Sequence, residues 1–248
     1  MGVSAITGGI IAAGEGSRLR RDGVAVPKPL VRVAGMPLIE RVIRNFETAG
    51  IHRVVVIVND RDRACADWIR AHVPHLTVDC IVKTTASSLE SFLEVTRAAE
   101  GGRMLVSTVD AWCPPSDFSR FVAAATARPS DDTVLGVTPL VADEKPLWVD
   151  LDGDGRVSAL GETHGAFVTA GLYLVPERIR RLAPPRELGR LRDFLAWLHR
   201  SGHALWGTVL PAVVDVDRAE DVARAEALER DGRSRDGSAT MSTGGGIA

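Results

Sequence analysis

The residues best suited to chemistry lie in "IIAAGEGSRLRRDGVAVPKPL", residues 10–30. An apolar run leads into Gly14 and Gly16, and a glycine loop after a strand leaves backbone N–H groups bare where a phosphate can approach. Arg18 follows, offering a planar fork of donors that matches phosphate oxygens. Lys28 stands between Pro27 and Pro29, which restrict the backbone and lower the entropic cost of holding its ammonium in place. The chemistry implied is the binding of a polyphosphate with positive charge brought up beside it.

Two common phosphate loops fail to describe this stretch. In GxxxxGK[ST], Gly9 and Gly14 have the spacing, but Glu15 stands where lysine is needed. In GxGxxG, Leu19 takes the third glycine position, and no clear acidic ribose ligand follows about twenty residues on, which disfavours a nicotinamide-dependent oxidoreductase. A third pattern fits throughout: Ala12, Ala13, Gly14, Gly16, Arg18, Leu19, then Pro27, Lys28, Pro29 and Leu30, followed by a turn into a helix. This string resembles the signature of the nucleotidyltransferase superfamily. That superfamily includes sugar-1-phosphate nucleotidylyltransferases, alditol- and choline-phosphate cytidylyltransferases, and molybdenum-cofactor guanylyltransferases.

The resemblance implies transfer of a nucleoside monophosphate from an NTP to a phosphorylated small molecule, with release of pyrophosphate. It implies that Ala12, Ala13, Gly14, Gly16 and Ser17 wrap the nucleotide and that Arg18 and Lys28 serve catalysis. Such transfer needs a divalent cation, Mg2+, to neutralise phosphate charge and align attacker with leaving group. Asp110, ending "MLVSTVD", matches the family's metal-binding aspartate after its central strand. In "VVDVDRAEDVARAEAL", Asp217 matches the second ligand best, with Asp215 on the same strand face; Asp217 could equally be a helix cap ahead of Glu220. Base-reading residues belong after the third strand, where "KTTASSLESF" offers Thr85, while Ser88 could simply cap the helix.

Where sugar-activating relatives have "EKP", this chain has "GETHGAFVTAGLYLV"; Glu162 is present and the lysine is missing. Lys145 or His164 could replace it, and Tyr173, Trp148 and Trp112 could wall the acceptor. With only 5% aromatic residues, an aromatic cage for a quaternary ammonium is not favoured, so a sugar or polyol phosphate is expected. Phosphocholine, the molybdenum cofactor, or a non-catalytic nucleotide-binding module remain the alternatives.

The elements that must position these residues alternate. Ile6–Ala13 reads as a strand broken at its start by Gly8-Gly9, and "PLIERVIRNFETA" (37–49) has apolar residues at helical period. "RVVVIVN" is a continuous β-branched run, as in a strand covered on both faces. Helices near 62–72, 88–99 and 116–127 and strands near 76–82, 103–110 and 132–140 continue the alternation. "LWVDLDGDGRVSAL" then reads as a hairpin. Its DLDGDG imitates the opening of a calcium loop, but the twelfth position is Gly161. The expectation is one Rossmann-like α/β domain over 1–231, three-layered, with a mostly parallel sheet and a small antiparallel addition. Residues 232–248, rich in Gly, Ser and Thr, read as a disordered tail.

Composition agrees. The 248 residues are 45% hydrophobic and carry a net charge of −2, so no overall field favours nucleic acid or an anionic membrane. Cys65, Cys80 and Cys113 form no metal-ligand spacing, and no run is long and apolar enough to span a membrane; a cytoplasmic protein is expected. Oligomeric state is left open.

Overall fold

The structure, a computed structural model, describes residues 6–241 apart from 75, 142, 143 and 162, with side chains described through residue 230. Strand β1 (Thr7–Ala12) ends at a loop, followed by a short helix α1 (Ser17–Arg21) and a 3-10 turn at Lys28–Leu30. The small hairpin of β2 (Arg32–Val33) and β3 (Met36–Pro37) leads to α2 (Leu38–Thr48). Next come β4 (Arg53–Val58), α3 (Arg63–His72), β5 (Thr77–Val82), α4 (Ser88–Arg97) and β6 (Met104–Thr108). A two-residue strand β7 (Ala111–Trp112) precedes α5 (Pro115–Ala127), β8 (Thr133–Thr138), the hairpin of β9 (Trp148–Leu151) and β10 (Val157–Gly161), and the long β11 (Phe167–Val175). Then follow α6 (Glu177–Arg180), α7 (Leu191–Arg200), β12 (Leu205–Val209), β13 (Val214–Asp215) and α8 (Ala219–Met241).

β5, β4, β1 and β6 lie parallel and side by side. β11 runs antiparallel to β6 and also pairs with β8 and β9, while β12 joins β8 in parallel. This is the expected mostly parallel α/β sheet with an antiparallel addition. Period-2 alternation explains why both faces fill. Ile10, Ala12, Val54, Val56 and Val58 enter one core with α2 and α3, whereas Ile11, Val55, Ile57 and Val106 enter the other with α4 and α7. Helix α2 buries Leu38, Ile39, Val42, Ile43 and Phe46; fully buried Phe46 meets Phe118 edge-on at 5.4 Å, a burial that stabilises by roughly 2–3 kcal/mol.

Two expectations change. The Gly8-Gly9 pair does not break β1: both residues are in register with β4 and β6. They are glycines because helices press on the strand there; a Cβ on Gly9 would sit 2.7 Å from Val95 and Met104. At the other end, α8 carries helical backbone to Met241, into the stretch read as a tail, while 242–248 lie outside the described residues. No helix among the described residues is long and apolar enough to cross a membrane.

Helix α8 is anchored by buried Ala225 and by a buried ion pair, Glu229 with Arg41 at 2.6 Å, whose guanidinium also lies 4.6 Å from the centre of the Trp112 ring. Glu229→Ala leaves that guanidinium buried without its carboxylate and is expected to cost about 3–5 kcal/mol in urea denaturation. A loss under about 1 kcal/mol would rule the anchor out. The anchors named all precede residue 231, so deletion of 233–248 is expected to leave the melting temperature unchanged in a thermal scan, and a large drop would show that the segment docks.

Candidate active site

The site lies at the carboxyl ends of the parallel strands, the edge where open α/β sheets take ligands. After β1 the chain turns through 13–16, and buried Asn59 at the end of β4 holds the turn, its amide donating to the carbonyl of Ala13 (3.1 Å). Gly14 is open, with no atom within 4 Å of a would-be Cβ. Gly16 has φ +60, and a Cβ there would lie 2.8 Å from Cβ of Lys28. It is glycine for two reasons, the left-handed backbone and the stem of the lysine beneath it. Ser17 is exposed at the start of α1.

Lys28 is buried, and its Nζ lies 2.5 Å from Oδ2 of Asp110 and also donates to Oδ1 of Asp217. Arg18 reaches the other oxygen of Asp217, Nη1 to Oδ2 at 2.5 Å. Burial alone would discharge Lys28, but Asp110, Asp215 and Asp217 outweigh it and hold its pKa well above the usual lysine value. Burial likewise disfavours the charged Asp110 carboxyl. The charge and hydrogen bond of Lys28, with a hydrogen bond from Thr108, nevertheless hold its pKa below the usual carboxylate value.

Asp110, Asp215 and Asp217 each offer an oxygen, and these oxygens lie within 4.8 Å of one another. The local fold imposes this convergence. β7, just past Asp110, pairs antiparallel with β13, setting Asp215 opposite Ala111, and the N–H of Val216 donates to the carbonyl of Asp110 at 3.0 Å. Asp221 then accepts from the N–H groups of Asp217 (3.1 Å) and Arg218 (2.8 Å), and Asp22 accepts from the N–H of Ala219 (3.1 Å). Asp217 is therefore not the cap of α8: its carboxylate faces Lys28 and Arg18, and Asp221 with Asp22 tie off the helix start. Hard carboxylate oxygens this close, already gathered round an ammonium, suit a divalent cation such as Mg2+.

A cavity of about 270 Å³ opens from these carboxylates between β6, β8 and β11. Thr108, Thr138, Thr169 and Tyr173 give it hydroxyls; Leu140 and Leu147 are among its apolar walls. Burial pushes the Tyr173 phenol up to about 12, with the charges of Asp110 and Asp215 adding, so it stays protonated. Of the expected aromatics, Tyr173 faces this cavity. Trp112 is buried beneath Arg41, and Trp148 is not among the cavity walls. His164 is exposed and outside those walls; Lys145 borders a neighbouring cavity; Glu162 lies outside the described residues.

Thr85 stands past β5, half-buried, its hydroxyl 2.6 Å from that of Ser91, and is not gathered with the acidic cluster. Ser88 is not the cap of α4. Ser87 is, accepting from the N–H of Glu90 (3.1 Å), while the Ser88 hydroxyl accepts from the N–H of Leu191 across at α7 (3.1 Å). The calcium-like loop is a turn, its Asp152 Oδ1 accepting from the N–H groups of Asp154 (3.0 Å) and Arg156 (2.9 Å). Cys65, Cys80 and Cys113 are free thiols raised by burial. The sequence reading missed Asn59, Asp221 and Arg192. A polar residue closing a run as apolar as "VVVIVN" was the available signal for Asn59.

A parallel sheet whose strand ends carry a glycine turn, a buried lysine and converging aspartates defines a phosphate-handling α/β protein. The description "MobA-like NTP transferase domain" fits residues 8–201, and the chain belongs to that family. It is similar to the 2-aminoethylphosphonate cytidylyltransferase of Lancefieldella rimae, 47% identical over 62% of this chain and 59% of that protein. It is also similar to the CMP-5'-(3-aminopropyl)phosphonate synthase of Streptomyces rubellomurinus (28%; 73% and 30% covered). A third relative is the bifunctional IPC transferase and DIPP synthase of Rubrobacter xylanophilus (29%; 88% and 51% covered). The chain thus spans between 30% and 59% of the length of these curated relatives. In fold it resembles the inositol-1-phosphate CTP transferase of T. maritima, with a TM-score of 0.78 at 18% identity and 93% of this chain and 97% of that one covered. HddC of Yersinia pseudotuberculosis superposes with a TM-score of 0.71 at 21% identity, covering 90% and 99%.

Two predictions follow from the geometry of the site. Gly16→Ala should lose about 1–3 kcal/mol in urea denaturation through its positive φ and the clash with Lys28, and unchanged stability would refute the fit. The Asp110 pKa is lowered on folding, so its stabilising contribution is present above the unfolded value of 3.8 and lost as pH falls through the folded one. The stability difference between wild type and Asp110→Asn should therefore be flat near neutrality and shrink below pH 3.8, as measured by denaturation across pH. A difference that persists undiminished in acid would refute the ion pair.

Proposed function

We propose that the chain transfers a cytidylyl group from CTP to a phosphate or phosphonate oxygen of a small acceptor, releasing pyrophosphate. The observation that carries this reading is the buried Lys28 ammonium beneath the glycine turn, clasped by Asp110 and Asp217, which both stand on the wall of the cavity. Cytidine is favoured because relatives matched over much of the chain are named for cytidylyl or CMP chemistry.

The acceptor oxygen attacks the α-phosphorus of CTP, a new P–O bond forms, and the bond from that phosphorus to the bridging oxygen breaks. The departing pyrophosphate keeps the electron pair. The backbone N–H groups of the turn at Gly14 and Gly16, next to Ser17, cradle the β- and γ-phosphates, and Arg18 pairs with their oxygens. Lys28 faces the charge that builds as pyrophosphate leaves, and the Asp110–Asp217 carboxylates aim it. Asp110 and Asp217, with Asp215 beside them, would hold Mg2+, which would screen phosphate charge and align attacker with leaving group. An existing phosphate or phosphonate anion needs no general base, so positioning and electrostatics carry the reaction.

A cavity of about 270 Å³ suits an acceptor with a short chain, such as the aminoalkylphosphonates in the names of two relatives. Its threonine hydroxyls and Tyr173 also favour a second reading, the polyol or sugar phosphate expected from the sequence. A pyrophosphate-release assay over four NTPs, with 2-aminoethylphosphonate and polyol and sugar phosphates, is expected to single out CTP and one acceptor class and to stop with EDTA. Lys28→Ala should lower kcat by about 10²-fold or more while raising the KM for CTP far less. Turnover at the wild-type rate in that variant would sink the mechanism.

A further inference from the structure

One buried amide joins three segments at the carboxyl edge of the sheet. Asn59 follows β4 directly and is only 2% exposed. Its Nδ2 donates to the carbonyl of Ala13 in the glycine turn (3.1 Å), and its Oδ1 accepts from the N–H of Arg61 (3.1 Å). The same Oδ1 accepts from the hydroxyl of Thr84, in the segment that follows β5, at 3.0 Å. A carbonyl only accepts and a backbone N–H only donates, so these partners fix which end of the amide points where. Aspartate in its place could not donate to Ala13 and would bury a charge. An apolar residue would strand both the Ala13 carbonyl and the Arg61 N–H.

These segments border ligand space. Arg18, just past the turn, and Ala86, Ser87 and Ser88, just past Thr84, stand on the wall of one cavity of about 560 Å³. The segment after β5 is fastened to α4: the Thr85 and Ser91 hydroxyls lie 2.6 Å apart, the N–H of Ala86 donates to Glu90 (2.7 Å), and Ser87 caps the helix. Toward the glycine turn, its side-chain hydrogen bonds among the described residues run through Thr84, to Asn59 and to the neighbouring Asp60. We propose that Asn59 is a positioning residue for the nucleotide. Holding Ala13 with one end of its amide and Thr84 with the other, it sets the spacing between the glycine turn and the 84–88 segment. The proposal rests on the transferase reading, in which the triphosphate lies at the turn and the nucleoside extends past Arg18 toward 86–88. Asn59, being buried, acts through the two segments it joins.

Calorimetric titration of the full chain with each of the four NTPs and, separately, with pyrophosphate, all with Mg2+, tests the link without turnover. Pyrophosphate reaches the turn alone, whereas an NTP spans both segments. Thr84→Val removes the hydroxyl at nearly constant shape; since Thr84 is exposed, the expected loss is modest, about threefold to tenfold for the NTP that wild type binds. Pyrophosphate binding should not change in that variant, and Thr84→Ser should keep the NTP affinity. Asn59→Ala should weaken both ligands, because it also releases Ala13, and adding Thr84→Val to it should cost the NTP nothing further, since the two residues act through one contact. Asp60→Ala, which removes the exposed carboxylate that Thr84 also meets, should bind both as wild type does. Circular dichroism checks folding, and the Thr84 pair carries the test if Asn59→Ala does not fold. The proposal is overturned if Thr84→Val binds the NTP as wild type does, if it loses pyrophosphate as steeply as the NTP, or if Asp60→Ala reproduces its loss. Each of those outcomes leaves the transferase reading standing. If wild type binds none of the four NTPs, that reading falls and the proposal falls with it.

Discussion

Three aspartates cannot be brought to within a few ångströms of one another and half-buried unless a positive charge is brought with them. Here that charge is the ammonium of Lys28, and much of the surrounding chain serves to deliver it. The stem of the lysine passes so close to the glycine turn that Gly16 has no room for a Cβ. Pro27 and Pro29 fix the 3-10 turn from which it projects, and the β7–β13 ribbon brings Asp110 and Asp217, more than a hundred residues apart in sequence, to the two sides of its nitrogen. Removing either partner would leave a buried charge uncompensated, which explains why a lysine so deep remains protonated.

The balance is deliberately incomplete. Lys28 and Arg18 bring two positive charges to Asp110 and Asp217, and an oxygen of Asp215 lies within 4.8 Å of oxygens on both, so the carboxylates outnumber the two cations they clasp. A phosphate arriving alone would meet carboxylate oxygens. Arriving with a divalent ion it would not, and the ammonium could then turn part of its hydrogen-bonding capacity from carboxylate to phosphate. On the proposed reading the same groups hold the site together without nucleotide and would supply the positive field to a polyphosphate.

Much of this was legible in the sequence, because the chemistry at issue sits at strand ends and strand ends are marked. Continuous β-branched runs placed β4 and β6, and the residues after them followed. Arg18, Lys28, Asp110 and Asp217 do converge. What stayed hidden depends on distance across the fold. Gly8-Gly9 looked like a break because a glycine pair weakens a lone strand, whereas packing against Val95 and Met104 is what requires it. Ser88 looked like a cap because caps are local, but its partner is the N–H of Leu191, a hundred residues on. Asp221 drew no reading of its own, although its carboxylate reaches back to shape the turn that carries Asp217. The α7 arginines had no motif at all.

On the proposed reading the acceptor's chain would lie against the far wall of the cavity, and that wall is mild. Threonine hydroxyls and a protonated tyrosine can give or accept hydrogen bonds, and between them lie leucine and valine. Such a wall discriminates little against a missing methylene but strongly against a group that would leave its own hydroxyls unpaired. On that reading the strict requirement would fall on the anionic end of the acceptor. A site strict about its anion and tolerant about the chain behind it can serve a phosphonate or a phosphate with the same machinery, since the attacking oxygen and the charge it carries are alike in both.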